Sequence, residues 1–189
     1  MAKIVNAALI QQYNIDRVKE YRLALDISGP ELSKRIGKSS TYVNQAESAG
    51  SDLFYSDEIM NKIALVFTEE AKEKLRFLTE LKSDEKIKVS YSIHDFYPKK
   101  PLLDEKKTKK NIGIPTGLGP TVTLNAVIET EDFFNEARTL KEIVEHCNTF
   151  ENMNWKESDF TATLDRADKK GKLKKFYASD SKVYYVKSE

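Results

Sequence analysis

Residues 28–50 read SGPELSKRIGKSSTYVNQAESAG, and the fold of the chain turns on how this stretch is divided. Pro30–Ile36 makes a short helix with Leu32, Ser33 and Ile36 on its inward side. Gly37 stands where the chain must reverse, a place that a residue without a β-carbon takes at little cost. Gly37-Lys38-Ser39 is the turn. Ser39 is then a good cap for a second helix, Ser40–Ser48, because its hydroxyl can accept from the open N–H groups there. Val43 faces inward from that second helix.

Working outward, Ile15, Val18, Tyr21, Arg22 and Leu25 recur at helical spacing, with Val18, Tyr21 and Leu25 as core. Asn6–Tyr13 reads equally as a short helix or an arm. Gly50–Tyr55 is a loop. Ser56 caps a further helix with Glu58 in its first turn and Ile59, Ile63 and Val66 or Phe67 as its buried stripe. Thr68-Glu69-Glu70-Ala71 reads as the opening of a fifth helix to about Leu81, with Leu75, Leu78 and Leu81 along one side.

Past residue 81 the composition shifts. Residues 86–96 alternate, with Ile87, Val89, Tyr91 and Ile93 on one face, as a strand would. Residues 97–121 then hold four prolines, three glycines and a lysine run. This suits a linker or long loop, with the lysines as a solvated spacer. Thr121–Ile128 alternates again, as in a strand, and residues 129–150 are helical with a break at Arg138-Thr139. There Thr139-Leu140-Lys141-Glu142 fits a capping box, and Ile143, Val144 and Cys147 face a core. Ser158–Lys170 is a helix with Phe160, Leu164 and Ala167 inward, stopped by Gly171. Lys172–Tyr177 and Lys182–Val186 are strands joined by a polar turn.

Composition bounds what such a chain does. It has 189 residues, 40% of them apolar and 10% aromatic, which is enough for real cores. Its N-terminus lacks the build of a signal peptide and no apolar run could span a bilayer. The single cysteine suits a reducing cytoplasm. The net charge is +1, but residues 81–112 hold 9 Lys+Arg against 5 Asp+Glu while both flanks are near neutral. Enzyme chemistry finds no inventory: His146 and Cys147 are neighbours pointing about 100° apart on a helix. His94 is the only other histidine, no Cys/His metal spacing occurs, and the glycines at 113, 117 and 119 lack the strand–turn–helix setting of a phosphate loop. No metal or cofactor is expected.

Two short helices about a glycine turn form a helix-turn-helix. Through Glu31-Leu32-Ser33, Gly37, Ser39, Val43, Glu47 and Gly50 the sequence resembles the Cro/C1-type helix-turn-helix regulators, over about Ile15 to Phe67. Within that pattern Gly29 replaces a polar residue that often grips phosphate, and Ala46 replaces a larger apolar one. The order helix, helix, glycine, hairpin over about Val127 to Lys187 resembles a winged helix, though Asn148–Lys156 is longer than the usual link.

The resemblances imply a mainly α protein: a five-helix lambda-repressor-like domain (1–81), a strand and Lys/Pro/Gly-rich linker (82–124), and a small α+β winged-helix-like domain (125–189). They imply a sequence-specific transcription regulator, a repressor that binds a palindromic operator as a homodimer. Ser40, Thr41, Asn44 and Gln45 are placed to read base edges, and Lys34, Arg35, Lys38 and Tyr42 to meet phosphates. Arg166, Lys169, Lys170, Lys172, Lys174 and Lys175 form a candidate second DNA contact or, equally, a solvated face. The rival expectation is an antitoxin-like or interaction module in which residues 82–189 bind a partner protein.

Overall fold

A computed structural model describes residues 5–80, 87–102, 106–110, 119–151, 153–178 and 182–188. The chain divides into two compact units, residues 1–112 and 113–189. Its α-helices are joined by little sheet: one two-stranded and one three-stranded antiparallel arrangement among the described residues. No helix among them is long and apolar enough to cross a membrane.

The first unit opens with strand β1 (Asn6–Ala8), which runs directly into helix α1 (Leu9–Ala24). The expected first helix therefore begins earlier, and its start absorbs the arm. Ile15, Val18 and Leu25 are buried as expected, with Tyr21 packed on the core edge. The chain then leaves α1 through Asp26, a buried non-glycine residue at φ 61. Ile27 N–H donates to the Arg22 carbonyl at 2.8 Å, closing a left-handed helix cap that usually employs glycine. Lys74 Nζ, 3.8 Å from the Asp26 carboxylate, supplies a compensating charge from the far side of the core.

Helices α2 (Gly29–Arg35) and α3 (Tyr42–Glu47) follow, with Gly37 at φ 75 making the reversal. Ser28, rather than Pro30, sets the start of α2: its hydroxyl accepts from Glu31 N–H while Glu31 reaches back to Ser28 N–H. The second helix is shorter than the expected Ser40–Ser48, and Ser39 does not cap it with its side chain. Ser39 contributes its carbonyl, which accepts from Tyr42 N–H at 2.9 Å. The cap comes from the first helix instead. Ser33 Oγ accepts from Val43 N–H at 3.0 Å and donates to the Gly29 carbonyl at 2.8 Å.

Helix α4 (Asp57–Glu80) is one continuous element, so the expected separate helix at residues 68–81 does not exist. The buried stripe explains why. Ile59, Ile63, Phe67, Ala71 and Leu78 keep one helical register straight through Thr68. Thr68 donates to the Ala64 carbonyl within the helix at 2.9 Å and accepts from Tyr91 N–H at 2.9 Å, instead of capping anything. Of the three leucines expected along one side, Leu78 is buried and Leu75 exposed, and Leu81 lies outside the described residues.

Residues 87–92 form no strand; they run into a 3-10 turn at Ile93–Phe96. The Tyr91 main chain bonds the Thr68 hydroxyl, and the aromatics of this stretch close the core. Tyr91 meets Tyr21 and Phe67 edge-on at 5.1 and 5.6 Å, and Phe96 meets Phe67 at 5.9 Å. Beyond them β2 (Lys106–Thr108) pairs antiparallel with β1, Asn6 opposite Thr108. Lys109 is buried and donates to the carbonyls of Ser51 and Leu53 at 2.8 and 3.0 Å. Much of the expected linker is thus an integral part of the first unit. Its prolines and lysines hid the aromatic and main-chain contacts that hold it there.

The second unit begins with α5 (Pro120–Thr130), where a strand was expected. All seven residues 122–128 are buried, so the side-chain pattern carries no period that separates strand from helix. Its polar members satisfy themselves on the helix, as in Asn125 Nδ2 donating to the Thr121 carbonyl at 2.9 Å. A 3-10 turn (Phe133–Asn135) and the two-residue β3 (Arg138–Thr139) occupy part of the region expected to be helical.

Helix α6 (Leu140–Glu151) starts on the expected capping box, with Thr139 N–H donating to Glu142 at 2.7 Å. Helix α7 (Glu157–Lys169) ends at Gly171, φ 67, and leads into β4 (Leu173–Tyr177) and β5 (Val183–Lys187). The sheet order is β3-β5-β4. Leu124, Phe134, Ile143, Cys147, Phe160 and Leu164 fill the core. Burial, with Glu131 nearby, pushes the Cys147 thiol up to about 12, so it is an inert packing group.

Candidate nucleic-acid interface

Helix α3 has two unlike faces. Val43, Ala46 and Glu47 are buried, whereas Asn44 and Gln45 are exposed, as are Ser40 and Thr41 of the turn just before the helix. The exposed four are short or amide side chains that donate and accept, and none carries a charge. Ala46 has no accessible surface, and the core closes around it without the larger residue of the resembling family.

The buried side of α3 is tied down at both ends. At its start is the Ser33–Val43 bond. At its finish Arg22 of α1 grips Glu47 in a two-pronged pair, Nε–Oε1 2.7 Å and Nη2–Oε2 2.6 Å, with both side chains almost fully buried. Lys19 Nζ lies 4.0 Å from the same carboxylate. The Tyr55 hydroxyl beside them is buried without a hydrogen-bond partner among the described residues, and burial together with the Glu47 charge raises its pKa well above the ordinary value. Such anchoring fixes which residues point outward.

Asn44 adds a detail invisible in the sequence. A β-carbon on Gly29 would stand 2.0 Å from Asn44 Oδ1, so the amide lies in the space that glycine leaves.

The four residues expected to meet phosphates separate. Lys34 and Lys38 are exposed, and Lys38 Nζ sits 5.6 Å above the Tyr42 ring. Tyr42 is half-buried, 6.3 Å from the Tyr55 ring, and burial raises its pKa. Arg35 differs: it bonds Glu70 of α4 at 2.6 Å, with Glu69 and Glu31 at 3.5 and 3.7 Å. Glu69 and Glu70 lie on α4, so Arg35 ties α2 to α4, while Glu31 lies on α2 itself. The main-chain N–H of Glu31 is also taken, by Ser28.

In the second unit the six basic residues divide as well. Arg166 is buried, with Nη2 donating to Thr163 Oγ1 at 3.3 Å. Lys172 donates to Asn125 Oδ1 at 3.1 Å and Lys175 pairs with Asp165 at 3.0 Å. Lys169, Lys170 and Lys174 are exposed. Lys187 of β5, a further basic residue beyond those six, is also exposed and pairs opposite Leu173.

No protein-family model matches the chain, and comparison with curated proteins and with solved structures returned no match either.

Proposed function

We propose that this protein is a sequence-specific DNA-binding regulator in which α3 enters the major groove as a homodimer's recognition helix. The observation that carries this is the split of α3. Four uncharged hydrogen-bonding side chains face outward, and two independent anchors, Ser33 and the Arg22–Glu47 pair, hold the opposite face. Asn44 and Gln45 suit bidentate bonds to adenine, and Ser40 and Thr41 suit bases near the start of the helix. Lys34 and Lys38, with Tyr42, remain for phosphates; Arg35 is a structural residue. One short helix covers little DNA, so two copies on half-sites about 34 Å apart supply the rest, and blocking a promoter gives repression.

The second unit runs α5-β3-α6-α7-β4-β5 with sheet order β3-β5-β4, the order of a winged helix. Its α7 is acidic where a reading helix meets DNA: Glu157 and Asp159 are exposed in the first turn. That favours a protein partner for the unit, with Lys169, Lys170 and Lys174 as a secondary contact to phosphates. The same acidic face supports the antitoxin-like alternative for the chain as a whole.

Competition gel shifts against a selected site test the assignment. Asn44→Ala plus Gln45→Ala abolishes sequence preference while salt-sensitive binding persists. Equal preference in wild type and double variant would refute readout by α3.

A further inference from the structure

We propose that the groove between α1 and residues 88–102 of the first unit is a binding site for a nucleoside phosphate. Two hollows of about 530 and 540 Å³ share a rim of Tyr97–Lys100 and Leu102, and so form one continuous groove. Each volume lies within the range of small-molecule sites, about 300–1,000 Å³.

The groove combines two kinds of side chain. Tyr13, Tyr21 and Tyr97 supply flat faces, and the Arg17 guanidinium stacks 5.5 and 5.6 Å from the Tyr13 and Tyr21 rings. A base can lie on such a platform through aromatic and guanidinium stacking. The same groove is lined by Lys88, Lys99 and Lys100. Lys99 and Lys100 are exposed and have no ion-pair partner among the described residues. Asp95, the one acid among the described lining residues, is engaged by Lys88 and by Ser92 N–H. Arg17 is paired with Glu20 and Lys88 with Asp95, so Lys99 and Lys100 supply the groove's net positive charge beside its aromatic rings.

A base with phosphates attached is the chemistry that uses both. A duplex hides its base faces in the stack, which makes it a poor occupant. A free nucleotide and the unpaired end of a strand present the same groups.

Calorimetry on the full chain with adenosine triphosphate, inorganic triphosphate and a 5′-phosphorylated single-stranded oligonucleotide tests the site. The nucleotide binds saturably, and Lys99→Gln plus Lys100→Gln weakens it about tenfold. Tyr13→Ala weakens the nucleotide about fivefold or more while leaving inorganic triphosphate unchanged. A control pair far from the groove in sequence, Lys72→Gln plus Lys141→Gln, binds as wild type. Displacement of the nucleotide by the oligonucleotide identifies a strand end as the source, and its failure identifies the free nucleotide.

No saturable binding overturns the proposal. So does loss in the control pair equal to that in Lys99/Lys100, or inorganic triphosphate binding as well as the nucleotide with no response to Tyr13. Thermal melts of each variant, with Tyr13→Leu as a milder second change, separate a lost site from a lost fold. No duplex enters the measurement, so the result is independent of whether α3 reads DNA.

Discussion

Replacing Glu47 by Gln removes the carboxylate that Arg22 and Lys19 both face beneath α3. The side chain keeps its length and one acceptor, but its amide nitrogen now meets a guanidinium that can only donate. The two original bonds are 2.7 and 2.6 Å long, and the side chains are 2% and 7% exposed, so water cannot take over the lost role. Breaking one side of a buried pair costs about 3–5 kcal/mol. The half-solvated position of the neighbouring turn argues for the lower end, about 3 kcal/mol, or a fall of about 10–15 °C in the melting temperature of this unit.

Trp155 gives the assay an internal reference. It is the only tryptophan and packs 5.8 Å from Phe160 in the second unit. Its fluorescence transition stays put while far-ultraviolet circular dichroism shows an earlier loss of helix. A double change, Arg22→Met with Glu47→Leu, recovers most of the loss, because apolar packing replaces the pair at little net cost. A shift below about 1 kcal/mol for Glu47→Gln would show that the pair does not anchor α3.

Asp16 gives a pH signature: burial raises its carboxyl from 3.8 to about 6, against the lowering effect of its bond from Gln12. The folded state binds this proton more tightly than the unfolded chain, so the stabilisation is complete below about pH 4 and disappears as pH rises through about 6. Asp16→Asn is then more stable than wild type at pH 7, by about 1 kcal/mol after allowance for its partial exposure, and not at pH 4. Melting temperatures at the two pH values with an unchanging difference would contradict this. Gly29→Ala leaves stability within about 0.5 kcal/mol but forces Asn44 out of its place. Shifted Asn44 side-chain amide resonances and altered base preference are expected, and unchanged resonances would refute the contact.

What the sequence made legible followed local rules. Gly37 and Gly171 announced left-handed turns, and Thr139 with Glu142 announced a cap, because each signal lies within a few residues of its effect. The exposed side of α3 was likewise legible from spacing. Thr68 misled because its capping composition competes with a hydrophobic register that only the packed core can weigh. Residues 121–128 misled because the burial of all of 122–128 removes the polar side from which a period is read. The roles of Arg35 and of Lys109 depended on partners 35 and 58 residues distant, Glu70 and Ser51, which no local pattern encodes.

The β1–β2 pairing has a mechanical consequence. Asn6 faces Thr108 and Ala8 faces Lys106, so the chain enters and leaves the first unit at the same end of a two-strand ladder. Tension between residues 5 and 110 therefore peels that ladder one rung at a time instead of shearing it. The Lys109 amine and its two carbonyls, between residue 110 and the first rung, form the outer latch of this clasp. Load applied along the chain is spent on this clasp first, and α2 and α3 feel it only after the clasp has opened.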